Sequence, residues 1–214
     1  SEVLKRHSAG SPIPTNWFVV TFDDVYENVY TNAWPVLREL EIPATLFLAT
    51  KYLDYSTPFP FDDWTDKGKP EVPVNDWKPI TTEQCLEMQK SGLIELGAHT
   101  HSHEDFRGRP TDFHQDLLIC KQQLKTRFNV ENPTFAFPYG TKQTGFSGGE
   151  LTQSAKETGV SCCLTTEDEQ VFPNSDPYDW GRFTAEQSDN GNTLAAKLEG
   201  YFTVLKNMWQ KCPV

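Results

Sequence analysis

Five short apolar runs, at residues 18–22, 44–48, 93–98, 134–137 and 161–165, recur along the chain with helix-length segments between them. That alternation limits the fold more than any other feature. Phe18-Val19-Val20-Thr21-Phe22 carries apolar or β-branched side chains on both faces, the pattern of a strand covered on both sides. Such strands pair in parallel, and each parallel pairing needs a crossover of a dozen or more residues, commonly a helix. The chain is therefore expected to be an α/β protein built on a parallel sheet, open or closed into a barrel.

The crossovers carry helix signals of their own. Ala33, Val36, Leu37 and Leu40 make one apolar stripe over 31–40. Thr81, with Gln84 three residues on, forms a capping box that opens a helix to Lys90, and Ser91-Gly92 closes it. Thr111 is expected to cap a helix through Phe128, Gly159 to stop one over 151–158, and residues 193–209 to form a last amphipathic helix. Residues 2–8 read as the tail of a helix stopped by Ala9-Gly10-Ser11-Pro12. Residues 51–79 are rich in Pro, Asp, Trp and Gly and have no period. They read as a long excursion of the kind that compact domains keep for function.

At 214 residues, without repeats or an obvious linker, the chain is expected to form one domain. No apolar run approaches the roughly 18 to 20 residues that span a bilayer, and residues 1–16 lack the apolar stretch of a signal peptide. A formal net charge of −11 disfavours nucleic acid and anionic membranes as partners. The five cysteines are odd in number and form no C-x-x-C pair. With Cys162-Cys163 inside an apolar run, most are expected to be buried thiols.

In parallel α/β folds, ligands sit at the carboxyl ends of the strands, and here the apolar runs end in polar chemistry. Asp23-Asp24 follows the first run. An acidic pair in a turn is ordinarily only solvated, but directly after a buried strand both charges need a partner or a cleft. One carboxylate can bind a cation while its neighbour takes a proton. His99-Thr100-His101-Ser102-His103 follows the third run. His99 and His103 clasp one ion if the segment curls into a helical turn, whereas in an extended segment His99, His101 and His103 share a face. Two carboxylates with two or three imidazoles suit Zn²⁺ or a similar divalent ion. The fourth run ends in Pro138-Tyr139-Gly140, a loop able to aim a backbone N–H at the metal and stabilise an oxyanion. Trp64, in the excursion, is the best candidate for stacking on a sugar ring. Trp77, Tyr139 and Trp180 also fall near the expected mouth, although a tryptophan is more often packing.

Thr21-Phe22-Asp23-Asp24, His99-Thr100-x-x-His103 and Pro138-Tyr139-Gly140 resemble, in order and spacing, the first three motifs of the NodB-like polysaccharide deacetylases, carbohydrate esterase family four. The likeness runs over residues 17–171. It implies a distorted (β/α) barrel of about seven strands. It also implies a hydrolase that removes N-acetyl groups from an N-acetylated polysaccharide or glycan precursor with the help of Zn²⁺, Co²⁺ or Ni²⁺. Carried onto this sequence, the resemblance makes Asp23 the general base and Asp24, His99 and His103 the metal ligands. His101 becomes the variable residue between them, and the Tyr139 N–H a donor to the oxyanion. Pro138, Trp64, Trp180 and Arg182 are expected around the substrate. A water activated by the metal would attack the acetamide carbonyl, releasing acetate and an amine. An extracytoplasmic or cell-envelope setting is implied in the same way.

The chain departs from the family pattern at three places. Val25 stands where a glycine usually follows the acid pair, and Ala136 where an arginine usually tethers the catalytic aspartate. No histidine follows His114, so the late histidine that serves as general acid has no counterpart. Asp176-Pro177 and Arg182 instead resemble the subgroup whose third motif reads Phe-Ala-Tyr-Pro-Tyr-Gly. The strand that usually precedes the first motif is absent, so the domain is expected to be truncated at its N-terminus. Three rival readings use the same residues: a carbohydrate-binding pseudoenzyme, a deacylase of a non-sugar amide, and an Fe(II) oxygenase with two histidines and one carboxylate. The β-α alternation and the paired aspartates argue against the last.

Overall fold

The structure, a computed structural model, describes residues 2–15, 17–62 and 73–201. Five strands, β1 (Val20–Asp24), β2 (Ala44–Leu48), β3 (Ile94–Ala98), β4 (Phe135–Ala136) and β5 (Cys163–Leu164), lie side by side in chain order. Every pairing is parallel. A doubly wound sheet reverses its strand order at a switch point, and this one never does, so it forms an arc of a distorted barrel. Beyond β5, the Trp180 N–H donates to the Cys163 carbonyl and the Thr165 N–H to the Trp180 carbonyl. Leu164 and Trp180 thus form a parallel bridge, and residues 177–182 occupy a sixth position in the arc. Five strands extended by the Leu164–Trp180 bridge, rather than about seven strands, make up the arc among the described residues.

The helices are α1 (Glu2–Ser8), α2 (Trp34–Glu39), α3 (Val74–Trp77), α4 (Thr82–Lys90), α5 (Pro110–Phe128), α6 (Gly149–Glu157) and α7 (Gly191–Leu198). A π-helical turn, Val29–Ala33, runs directly into α2. The Thr81–Gln84 capping box opens α4 as expected. At α5 the start differs: Pro110 takes the first turn, where its missing N–H and fixed φ cost nothing, and no side chain caps the helix. The last helix starts earlier and ends sooner than expected: the Asn190 side chain caps α7, which runs Gly191–Leu198, and positions 202–209 of the expected helix lie outside the described residues.

One principal core cluster joins the sheet to its helices. Leu46 and Leu48 of β2, Ala98 of β3 and Phe135 of β4 meet Phe113, Leu117, Cys120 and Leu124 of α5, all essentially inaccessible to water. Burial on this scale is the main favourable term in the fold. Strand β1 departs from the expectation of a strand covered on both sides. It begins at Val20, is only half buried along its length, and leaves Trp17, Phe18 and Val19 exposed, because it stands at the end of the strand order. Cys85, Cys120, Cys162 and Cys163 are free and buried, as expected; burial pushes the Cys120 and Cys162 thiols up to about 12. Cys212 lies outside the described residues. A second, aromatic cluster (Tyr52 and Phe59 with Tyr26 and Phe61) folds the first part of the 51–79 excursion back onto the mouth of the arc. No helix among the described residues is long and apolar enough to cross a membrane.

Candidate active site

Sheet register brings the site together. Asp24 pairs with Leu48, Leu48 with Ala98, and Ala98 with Phe135. The acid pair, the residue after Ala98 and the loop after Ala136 therefore emerge at one level, the carboxyl edge. Asp23 shares its register row with Phe47 and Gly97. A Cβ at Gly97 would sit 2.6 Å from the Phe47 ring, so glycine there makes room for that phenylalanine inside the arc.

Beyond β3 the chain curls tightly. Thr100 and His103 both take positive φ, 62° and 54°. The Thr100 hydroxyl accepts from the His103 N–H at 3.1 Å and donates to the His99 carbonyl. This curl carries the His99 and His103 rings inward and His101 outward, where its Nδ1 meets the Thr50 hydroxyl at 3.0 Å. The histidine Nε2 atoms lie 3.5 Å (His99) and 3.1 Å (His103) from Asp24 Oδ1. Asp24, His99 and His103 thus offer one ligand atom each, all within 4.8 Å of one another. Among the described residues this is the one such group, and His101 lies outside it.

The donor set fits a cation. His99 Nδ1 donates to the Ala136 carbonyl at 2.8 Å, which leaves a lone pair on Nε2. Burial holds the His99 pKa below its ordinary value despite the opposing charges of Asp23 and Asp24, so the ring is neutral. Its Nε2 lone pair therefore faces a carboxylate oxygen that is buried and accepts no hydrogen bond. Two acceptors turned toward each other in a buried space repel unless a positive charge lies between them.

Beside this group, Asp23 is held by Arg182. The guanidinium donates to both carboxylate oxygens, Nη1 to Oδ1 at 2.7 Å and Nη2 to Oδ2 at 2.8 Å. It also donates to the Thr21 hydroxyl and, through Nε, to the Thr165 carbonyl. Burial pushes the Asp23 carboxyl up, but the Arg182 guanidinium, by its hydrogen bonds and its charge, counters burial, and the group stays below the usual carboxylate range. Arg182, expected at the substrate, instead bridges the sixth position of the arc to β1. It supplies the tether that Ala136 cannot. Sequence reading missed this role because the partners lie 159 residues apart and no periodic element carries Arg182.

The remaining candidates spread out. Tyr139 stands at the mouth, 45% exposed, at φ 60°. Its ring meets His103 edge-on at 4.8 Å and tilts against Phe146. Burial first, then Asp24, Asp105 and Asp62, raises its phenol pKa, so the hydroxyl stays protonated. Gly140 follows it at φ 60°, where a Cβ would press on Thr166 at 2.8 Å. Pro138 is buried. Trp180 is 6% exposed and packs edge-on against His7, so it is a wall rather than an open platform. Trp64 lies outside the described residues. Phe61 was not singled out in the sequence, yet it stacks on the His103 ring at 3.8 Å. Asp116, also unforeseen, accepts from the backbone of the histidine loop.

Comparison with known proteins follows the same lines. The chain is 26% identical over 168 residues to a poly-beta-1,6-N-acetyl-D-glucosamine N-deacetylase of Staphylococcus aureus, a match covering 74% of this chain and 51% of that protein. The chain thus spans about half the length of that curated relative. Among solved structures, the Streptococcus pyogenes deacetylase PplD superimposes with a TM-score of 0.72 at 20% identity, over 92% of this chain and 76% of that one. A de-N-acetylase from Aggregatibacter actinomycetemcomitans gives 0.73 at 18% identity, over 92% and 80%. At such identities these two show a shared fold. Residues 12–162, which run from before β1 to the edge of β5 and hold all three motifs, match the Polysaccharide deacetylase family, and the chain belongs to that family.

Proposed function

We propose that this chain is a metal-dependent N-deacetylase acting on an N-acetylated glycan, with a β-1,6-linked N-acetylglucosamine polymer as the first substrate to try. One observation carries the reading: Asp24 and the buried His99 and His103 converge beside an aspartate that an arginine helps to hold ionised. Asp24, His99 and His103 would hold a divalent ion such as Zn²⁺, Co²⁺ or Ni²⁺, which supplies Lewis acidity to water and to the acetamide carbonyl.

The chain's own residues do the rest. Asp23, ionised and fixed in orientation by two hydrogen bonds, takes the proton from the attacking water. The Ala136 carbonyl keeps His99 in the tautomer that leaves Nε2 free. The Tyr139 N–H, on a loop turned by positive φ at Tyr139 and Gly140, is the donor assigned to the developing oxyanion. The proton that Asp23 has taken is available to return to the departing amine, so one carboxyl serves in both directions. Tyr139 and Phe61 offer ring faces and edges at the mouth, suited to the apolar face of a sugar.

The test is acetate release from poly-β-1,6-N-acetylglucosamine and from chitin oligomers, before and after chelation and on adding back each metal. Metal-restored release that disappears in Asp23→Asn supports the reading. Stoichiometric metal binding with no release from any N-acetylated glycan overturns it in favour of a carbohydrate-binding relative.

A further inference from the structure

Between the two histidine ligands lie three residues, and their backbone is held from outside the sheet. Asp116, in α5, accepts from the His101 N–H at 2.5 Å through Oδ1. The Ser102 N–H lies 3.2 Å from both carboxylate oxygens, and the Ser102 hydroxyl donates to Oδ2 at 2.6 Å. Three donors from two successive residues thus converge on one carboxylate, the arrangement by which a turned backbone cradles an anion. The same short arc contains Thr100 and His103 at positive φ, conformations that non-glycine residues keep only where the surroundings over-determine them. Phe113, Leu117 and Cys120 bury the neighbouring face of α5 in the core, so Asp116 projects from a rigid base.

We propose that Asp116 is the positioning residue of the metal centre: its carboxylate fixes the arc between His99 and His103 so that their ring nitrogens converge on Asp24. Asp116 touches neither ion nor substrate and acts only through the loop. The inference rests on the metal-dependent reading above. It adds to that reading a determinant of metal affinity that lies in a helix, away from every ligand.

The experiment is a Zn²⁺ titration of chelator-stripped protein against a chromophoric competitor, for wild type, Asp116→Ala, Asp116→Asn and Ser102→Ala, with thermal unfolding of each metal-free protein alongside. Loss of a supporting group of this kind weakens metal binding by about 10 to 100-fold, the range expected for Asp116→Ala. Asp116→Asn, which keeps one acceptor oxygen but turns an NH₂ toward a donor, falls between it and wild type. Ser102→Ala removes one ordinary hydrogen bond without touching the core, and about 2 to 10-fold is expected. It also keeps the test decisive if Asp116→Ala does not fold. Folded variants that bind Zn²⁺ as tightly as wild type overturn the proposal, as does a lower melting temperature of the metal-free protein with unchanged affinity. A wild type that binds no Zn²⁺ overturns the metal reading itself, and the first arm of the titration tells the two failures apart.

Discussion

Replacing Arg182 by methionine removes the guanidinium and leaves a side chain of similar length. In the native protein the pair is bidentate, at 2.7 and 2.8 Å, with only 14% of Arg182 and 27% of Asp23 exposed. Breaking a buried pair by deleting one partner costs about 3 to 5 kcal/mol, because the other charge stays desolvated. Asp23 keeps some exposure and can protonate, so the low end, about 3 kcal/mol, applies. For a chain of this size that lowers the melting temperature by about 6 to 12 °C. Arg182→Lys keeps the charge but not the fork, and a smaller loss is expected. The pH dependence has a definite sign. Burial raises the Asp23 carboxyl pKa, but the hydrogen bonds and charge of Arg182 counter burial, and the group lies below the ordinary value. Its contribution is present above the unfolded carboxylate pKa and is lost as pH falls through the folded one. Without Arg182, burial is less opposed, so the gap between wild type and Arg182→Met is widest near neutral pH and narrows in acid. Urea unfolding of the metal-free proteins at both ends of that range measures it. A loss under about 1 kcal/mol, the scale of a surface pair, or a gap that does not change with pH, would refute the reasoning.

His99→Ala and His103→Ala should each abolish retention of Zn²⁺ through dialysis, read by elemental analysis. His101→Ala should leave it intact, since that ring is turned to Thr50; the reverse pattern overturns the ligand assignment. Gly97→Ala places a Cβ 2.6 Å from the Phe47 ring and 3.0 Å from the Thr134 carbonyl, an overpacking worth about 1 to 3 kcal/mol, and an unchanged melting temperature would contradict it. Val25→Gly loses about 1.5 to 3 kcal/mol of side-chain burial, but relieves a β-branched residue at φ 66°, a strain of about 1 to 3 kcal/mol. Denaturant unfolding should therefore find it within about 2 kcal/mol of wild type, after the two ranges are set against each other.

Much of this architecture is legible in the sequence because the signals are local. The runs at 44–48 and 93–98 announce strands, and the Thr81–Gln84 box announces α4, since each rests on residues within a few positions of one another. The candidate metal group is legible for a related reason: two strand ends one register row apart are loaded with ligand chemistry. Which two of the three histidines converge is not legible, because it depends on positive φ at Thr100 and on a carboxylate thirteen positions beyond His103. The tether on Asp23 is hidden for a stronger reason. It comes from a bridge to β5 that has no helical or strand period of its own, and its meaning exists only once the arc brings Arg182 to β1. Trp180 illustrates the opposite error. Composition cannot separate a tryptophan at the rim from one packed beneath it, and here the ring is covered by His7.

Where strain falls in this molecule connects these observations. Of the eight non-glycine residues at positive φ among the described residues, five belong to the site: Asp24, Val25, Thr100, His103 and Tyr139. Each conformation costs about 1 to 3 kcal/mol, so together they are comparable to a large part of a domain's net stability. They persist because each is pinned by something the fold supplies. The Val25 N–H closes on the Asp23 carbonyl at 2.7 Å, while the returning end of the excursion donates from Ile80 N–H to the Val25 carbonyl. Arg182 holds Asp23, Asp116 holds the histidine arc, and Thr166 leaves space behind Tyr139 only for a glycine at 140. Val25 is the telling case. A valine in the left-handed region, where the family usually has glycine, is tolerable only if the turn is fully determined from both sides, and burial of its side chain offsets the strain. The turn that presents Asp23 and Asp24 is therefore stiffer here than a glycine would make it. In the proposed reaction, where one carboxylate would hold its place between a water and a departing amine, stiffness at that turn would favour rate, because misplacement by about an ångström can cost on the order of 10²-fold.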